Sequence, residues 1–496
     1  MANGVSAVAY DRARLFPIAL ILLLAAVASL VQTEYLTAAV FGTFGLVFVV
    51  LYPEWGIGFL LMFLMIQYRN QYFWATALIP SGEGLLSPNN VLGILLLLIM
   101  TYQLYRDNDW SFLRHSEVRL VIALTGLFVI SAMLHPIDYG KLVKLGLDPP
   151  NQDPVRAMVS RSLFVVFFAF FLRAPRQIRL LVILYVGLSL LTALSASISA
   201  YQGQGWEGGA GARVTETYRA GGAAVITRTA GNPNRLAMIS TLLIVLIWEY
   251  AQTERGRRWM LIAGITIMGL IVTVFQTASR GGLIGLVATG GLLLVRRRAE
   301  ARTAVYAVII ALLAAGLISQ IVPEEALERL GNIPGLTSST TPTGGSSGTG
   351  SVERREYTLG IALELAERDP LLGIGPGNWE MERFLIDPAR STAVPHNSYM
   401  LAAVEGGIFT LTVYLLLFYV SIRHLGELER NPAAMERAHA EGLDWLIGGT
   451  RVCLISFLLF SLFSDLWETI NYYWLVGVAA AVTQRYAGLL RRAQPA

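Results

Sequence analysis

Apolar stretches of about 17 to 25 residues recur along the chain, separated mostly by short polar connections, and each can cross a hydrocarbon core of about 30 Å as a helix. They lie at about 15–31, 36–52, 55–67, 90–105, 118–135, 157–173, 177–200, 233–250, 258–277, 281–296, 303–321, 399–422, 451–467 and 470–486, the third being short. In lipid a spanning segment must satisfy its own backbone hydrogen bonds, which a helix does along its length. The pattern predicts an all-α integral membrane protein, a polytopic bundle of about 12–14 transmembrane helices.

Alternate connections carry the basic residues. Arg12 and Arg14, Arg106 and Arg114, Arg173 and Arg176, Arg255 with Arg257 and Arg258, the Arg296 to Arg298 run, Arg423 and Arg430, and Arg491 with Arg492 all fall on one side. That side is expected to be cytoplasmic, with both termini on it. Ala26-Val27-Ala28 faintly resembles a signal-peptidase site, and the first span is expected to be retained as an anchor.

Three outer connections are too long to be turns, at about 136–156, 201–232 and 322–398. The chain thus divides into N-terminal membrane helices (1–321), a large outer loop (322–398) and C-terminal membrane helices (399–496). Within the large loop, the Gly/Ser/Thr stretch 335–351 has almost nothing to bury and is expected to be mobile. After it, Leu359, Ala362, Leu363 and Ala366 mark an amphipathic helix stopped at Asp369-Pro370. It is expected to lie on the outer surface of the membrane domain and cap a cavity.

Composition agrees: the 496 residues are 54% hydrophobic and 15% charged, outside the range of soluble domains. The net charge of +4 sits mostly in the cytoplasmic loops, where topology and anionic lipid explain it without nucleic acid. Cys453 is the single cysteine and falls inside a span, so no intrachain disulfide can form.

Of five histidines, only His135 and His396 fall outside. No two stand at metal-ligand spacing, so no metal site and no cofactor is expected. Asp107-Asn108-Asp109 looks like a metal or nucleotide motif but lies in a short cytoplasmic loop, too small for a nucleotide-sugar domain. Arg280, in TASRGG, stands at the outer junction of two spans, where it snorkels to the interface or meets a phosphate through paired charge-assisted bonds. Arg161 lies about a turn inside an apolar span, under the same argument. Arg355 opens the amphipathic helix, where the helix dipole disfavours a cation, so it is either a solvated charge or serves a ligand. Asn232 and Asn234, in GNPNR, suit helix capping or sugar hydroxyls, and Arg228 lies just before them. GIGPGNW at 373–379 reads as a tight turn that presents Trp379 to a sugar or to lipid headgroups.

His396-Asn397, nine residues, then Gly407-Ile408-Phe409-Thr410 resembles the HN-x9-G-x-x-T pattern of bacterial O-antigen ligases and protein O-oligosaccharyltransferases. TASRGG, GNPN and the segment from Arg355 to DPLLGIGPGNW look like further marks of that superfamily, which also holds O-antigen and exopolysaccharide polymerases. The likeness runs in order from about residue 228 to 420.

The resemblance implies a GT-C-like membrane glycosyltransferase of the bacterial cytoplasmic (inner) membrane with a periplasmic active site. It implies a donor glycan on undecaprenyl diphosphate and an acceptor hydroxyl on a glycan, on lipid A core or on protein. It further implies His396 as base and Asn397 as its orienting partner, with Arg280, Arg355 and Arg161 on the diphosphate. Asn232, Asn234, Arg228, Trp379 and Tyr399 become glycan or donor contacts, and Gly407 and Thr410 structural positions. Glu405 lies two and a half turns from His396 and reads as a polar residue satisfied inside the bundle. Ligase and polymerase use the same donor and stay undivided by sequence. A lipid-linked oligosaccharide transporter is the rival from another class, but it should place polar residues near the midplane, whereas here they gather at one face.

Overall fold

The computed structural model describes residues 52–65, 88–147, 153–201, 233–254, 257–277, 279–296, 309, 313, 348–388, 395–466 and 469–492. Nearly all of the predicted spans at 15–31, 36–52 and 303–321, and the positions Arg228 and Asn232, lie outside them. Among the described residues there are helices and no strands. They are α1 (Pro53–Met65), α2 (Pro88–Asp107), a short 3-10 turn (Ser111–Arg114), α3 (Ser116–Leu134), α4 (Tyr139–Lys144), α5 (Pro154–Phe171), α6 (Pro175–Tyr201), α7 (Pro233–Glu254), α8 (Arg257–Gln276), α9 (Arg280–Arg296), α10 (Gly348–Arg368), α11 (Trp379–Ile386), α12 (Ser398–Arg430), α13 (Pro432–Ala440), α14 (Asp444–Ser461) and α15 (Ile470–Arg492). Seven of these are long and apolar enough to cross a membrane.

Local sequence sets where the helices start. Proline opens α5 and α13, where its missing N–H is no loss. The residue before it caps the turn: Asp153 accepts from the Arg156 N–H and Asn431 from the Ala434 N–H. α15 is apolar almost all round, and Tyr472 to Val476 are fully buried, as suits a helix at the centre of a bundle. It packs against α5, α12 and α14, and Trp474 stacks on Tyr185 of α6 with ring centroids 3.7 Å apart.

Four helices tie the two faces of the bundle together. At one face α7, α9 and α12 begin and α14 ends. At the other, Arg296 of α9 pairs with Glu249 of α7 at 2.6 Å and with Glu429 of α12, which also receives Arg451 of α14. Glu249 is 1% exposed, a burial that a carboxylate tolerates only when it is paired. Asp107-Asn108-Asp109 proves to be a charged turn: Asp107 pairs with Arg106, while Asp109 pairs with Arg173 at 2.9 Å and accepts from the Ser111 N–H.

Near that second face, Arg485, Arg437 and Tyr486 hydrogen-bond Glu441, between α13 and α14, and the Arg485 contact foremost holds its carboxyl down at about 2. A depressed carboxylate stabilises the fold fully above its ordinary value of 4.5 and loses that contribution as pH falls through about 2. Glu441→Gln is therefore expected to lower the thermal midpoint of the detergent-purified protein at pH 7, the gap to wild type closing as pH falls from about 5 toward about 2.

Two expectations are corrected. α10 begins at Gly348, so the last four residues of the supposed mobile stretch are helical and Arg355 stands two turns inside. The dipole argument for Arg355 therefore falls, since the effect is confined to the first turn. The predicted span 399–422 belongs to a longer helix broken at Gly407 (φ 72°, ψ −178°).

Candidate active site

α14 ends at Ser461, and the turn that follows, Leu462 to Leu466, leaves backbone carbonyls without helical partners. The sequence motifs supply their donors. Asn234 Nδ2 donates to the Phe463 carbonyl at 3.4 Å, Ser398 Oγ to that of Ser464 at 2.6 Å, and Arg235 to that of Asp465 at 3.3 Å. Ser279, from TASRGG, donates to Asn234 Oδ1 at 2.5 Å and accepts from the Gly282 N–H at 2.9 Å. Gly281 lets α9 approach the turn, since a Cβ there would lie 2.9 Å from the Phe463 Cβ. GNPN, TASRGG and HN, separated by up to about 160 residues of sequence, thus meet on one five-residue turn.

His396 faces the side chain of that turn. Its Nδ1 is 3.5 Å from Asp465 Oδ2, and Asp465 Oδ1 accepts from the Asn397 N–H at 3.2 Å. The carboxylate therefore bonds the backbone next to the imidazole and faces Nδ1 across 3.5 Å, and that buried nitrogen makes no hydrogen bond here. His396 has φ 49°, in the left-handed region that costs a side-chain-bearing residue roughly 1–2 kcal/mol. Strain of this kind persists where surrounding bonds impose it. Asn397 caps α12, its Oδ1 accepting from the N–H groups of Tyr399 (3.0 Å) and Met400 (3.1 Å). Tyr399 donates its hydroxyl to the Leu458 carbonyl at 2.7 Å, fastening the start of α12 to α14.

Three helices begin at this hub and α14 ends there, so three partial positive dipole ends and the cations Arg235 and Arg280 outnumber one partial negative end and the Asp465 carboxylate. Such a focus suits an anion, and helix N-termini are ready-made phosphate sites.

The segment DPLLGIGPGNW docks beside the hub in the break of α12. The Ile408 N–H donates to the Pro370 carbonyl at 2.9 Å, and those of Ile374 and Gly375 donate to the Val404 and Glu405 carbonyls at 2.8 and 3.2 Å. Glu405 Oε1 accepts from the Gly377 N–H at 3.1 Å, so this buried carboxylate is satisfied within the protein. Thr410 is fully buried, its side chain against Gly406. The histidine His135 sets Nε2 3.0 Å from Asp369 Oδ2, and its carbonyl accepts from Asn378 Nδ2 at 2.9 Å. It clamps this segment to the end of α3.

Trp379 does not stand out as expected. It is 3% exposed and enclosed with Ile361, Ala362, Leu365, Ile374 and Val404, because the turn folds back over α10. Its ring is core, and no sugar face is presented. Arg355 is exposed on α10, and Arg161 is half-buried two turns into α5, so neither is in the hub's hydrogen-bond set. Arg280 is half-buried at the start of α9, next to Ser279. Asp465 and Arg235 went unnoticed in the sequence, although an acidic residue inside LLFSLFSDLW is itself a signal, being costly in lipid.

Residues 265–415 match the family model described as O-antigen ligase. The match supports the O-antigen ligase-like superfamily and, generally, a ligase- or polymerase-type function in a multi-pass membrane protein handling a lipid-linked glycan. It takes in TASRGG, the docked DPLLGIGPGNW segment and the HN motif, while Asn234 and Asp465 fall outside it. No curated protein matches the chain.

Proposed function

We propose that the chain is a membrane glycosyltransferase of the O-antigen ligase type, which moves a glycan from undecaprenyl diphosphate to an acceptor hydroxyl at the periplasmic face of the inner membrane. One observation carries the reading: His396, backed by the Asp465 carboxylate, lies where three helix N-termini converge. As substrate binds, the carboxylate closes the 3.5 Å gap to hydrogen-bond Nδ1–H, which leaves Nε2 as the base.

In the step, the acceptor oxygen attacks the anomeric carbon from the face opposite the diphosphate. The C–O bond to the diphosphate breaks with its electron pair, and the hydroxyl proton passes to Nε2 of His396. Undecaprenyl diphosphate leaves, and the configuration inverts. Diphosphate is already a good leaving group, so the cations have only to stabilise charge as it develops, and neither metal nor cofactor is called for. Arg280 is the member of the expected arginine set at the hub, and Arg235 joins it there; Arg355 on α10 and Arg161 on α5 are assigned to the diphosphate by the family resemblance alone. Asn397 keeps its amide N–H groups for a sugar hydroxyl, since its carbonyl oxygen caps α12. Asn234 positions the turn, and Arg228 and Asn232 stand as glycan contacts.

The test supplies the purified full chain with an undecaprenyl-diphosphate-linked glycan, with and without lipid A core. Ligation gives glycosylated core and free undecaprenyl diphosphate. Long ladders from the donor alone would make the chain a polymerase, and intact donor under both conditions would overturn the reading.

A further inference from the structure

The hydroxyl of Ser398 does more than close one carbonyl of the turn. Its oxygen donates to the Ser464 carbonyl at 2.6 Å and accepts from the Leu466 N–H at 2.8 Å, and the residue is fully buried. A hydroxyl has one proton to give and lone pairs to receive, so a single oxygen serves both groups. A serine at the start of a helix ordinarily turns its hydroxyl to nearby backbone of its own segment. In α12 that capping falls to Asn397, whose Oδ1 accepts from the Tyr399 and Met400 N–H groups, and Ser398 is left for the turn.

Ser464 and Leu466 flank Asp465. The Ser464 carbonyl belongs to the peptide unit before the Asp465 Cα, and the Leu466 N–H to the unit after it. Each unit is planar, so their mutual orientation is set by φ and ψ of Asp465. By holding one group on each unit, Ser398 fixes both angles and with them the direction of the Asp465 side chain. Arg235 adds a bond at 3.3 Å to the carbonyl of the second unit. The Asn397 N–H, one residue before Ser398, donates to Asp465 Oδ1 at 3.2 Å. What these bonds leave open is the 3.5 Å between Asp465 Oδ2 and Nδ1 of His396.

Closing that gap to a hydrogen bond takes a movement of less than about 1 Å. Displacements of about 0.5 Å per axis are ordinary in folded backbone, so drift in φ or ψ of Asp465 would undo a closure of that size. We propose that Ser398 is a positioning residue for glycan transfer: it locks the backbone of Asp465, so that the carboxylate meets His396 by side-chain movement alone. The role rests on the reading of His396 as the base, and Ser398 itself touches no reacting atom.

A double-mutant cycle tests it. Ser398→Ala, Asp465→Asn and the double variant are prepared as full chains and assayed for transfer from an undecaprenyl-diphosphate-linked glycan with lipid A core present. Folding is checked by size-exclusion profile, and Ser398→Cys, nearly the same shape with a weakly hydrogen-bonding sulfur, takes the place of alanine if alanine fails to fold. Ser398→Ala is expected to lower kcat by roughly 10–10²-fold with KM for the donor near wild type. With asparagine already at 465, the same change is expected to alter kcat by less than about 3-fold, because Ser398 acts through that carboxylate. A residue that only stabilised the fold would cost the same in both backgrounds. Equal losses in the two backgrounds, or a wild-type kcat in Ser398→Ala, would overturn the role of Ser398 and leave His396 as the base. A wild-type kcat in Asp465→Asn would overturn the reading of the carboxylate, and the role of Ser398 with it.

Discussion

Asp465→Asn is expected to lower kcat for glycan transfer by roughly 10²-fold or more, with KM for the lipid donor near wild type. An asparagine at 465 can still accept the Asn397 N–H through Oδ1, so the backbone bond at 3.2 Å survives. What changes is the group facing Nδ1 of His396: an amide N–H there turns the imidazole to the tautomer with its proton on Nε2. That tautomer has no lone pair toward the acceptor hydroxyl. Asp465→Glu, which keeps the carboxylate, is expected to recover part of kcat. Were Asp465 only a brace for the turn, Asn, nearly the same shape, would be the milder change and Glu the harsher one.

Gly407→Ala is expected to release the docked 369–379 segment from α12. The residue has φ 72°, where a Cβ costs roughly 1–2 kcal/mol, and the added methyl would overlap the Leu371 carbonyl. Relief requires the Pro370–Leu371 turn to move, and with it the bond to Ile408 and the Glu405 contact to Gly377. Limited proteolysis should then cut within 369–379 in the variant and spare it in wild type, with transfer lost. Gly360→Ala is the control: that glycine is helical and exposed with no atom within 4 Å of an added Cβ, and the change should be neutral or stabilise by roughly 0.5–1 kcal/mol. If Gly407→Ala behaves like Gly360→Ala, the break in α12 does not anchor the docked segment.

The helical membrane architecture is legible in the sequence because lipid imposes one rule, a long apolar run for each crossing. His396 was legible too, as a histidine at the mouth of a span with a motif around it. Its carboxylate was not. Asp465 lies just past α14, and a hydropathy pattern carries the span to about residue 467, whereas the helix ends at Ser461. The turn is apolar enough to read as helix, and only its carbonyls, bonded by residues up to about 230 positions away, show otherwise. The break at Gly407 had a local signal in the two adjacent glycines, but its purpose depends on a docking segment some thirty-five residues earlier. Trp379 misled because exposure of an aromatic after a glycine turn depends on how the turn folds back, and α10 supplies the surface that covers it.

The central claim is that His396 takes the proton of the acceptor hydroxyl, and His396→Ala tests it most directly. Single-turnover transfer from a purified undecaprenyl-diphosphate-linked glycan is measured alongside donor binding to the same preparation. The expected result is transfer slowed by roughly 10²–10⁴-fold with donor binding retained. Transfer at the wild-type rate would contradict the claim.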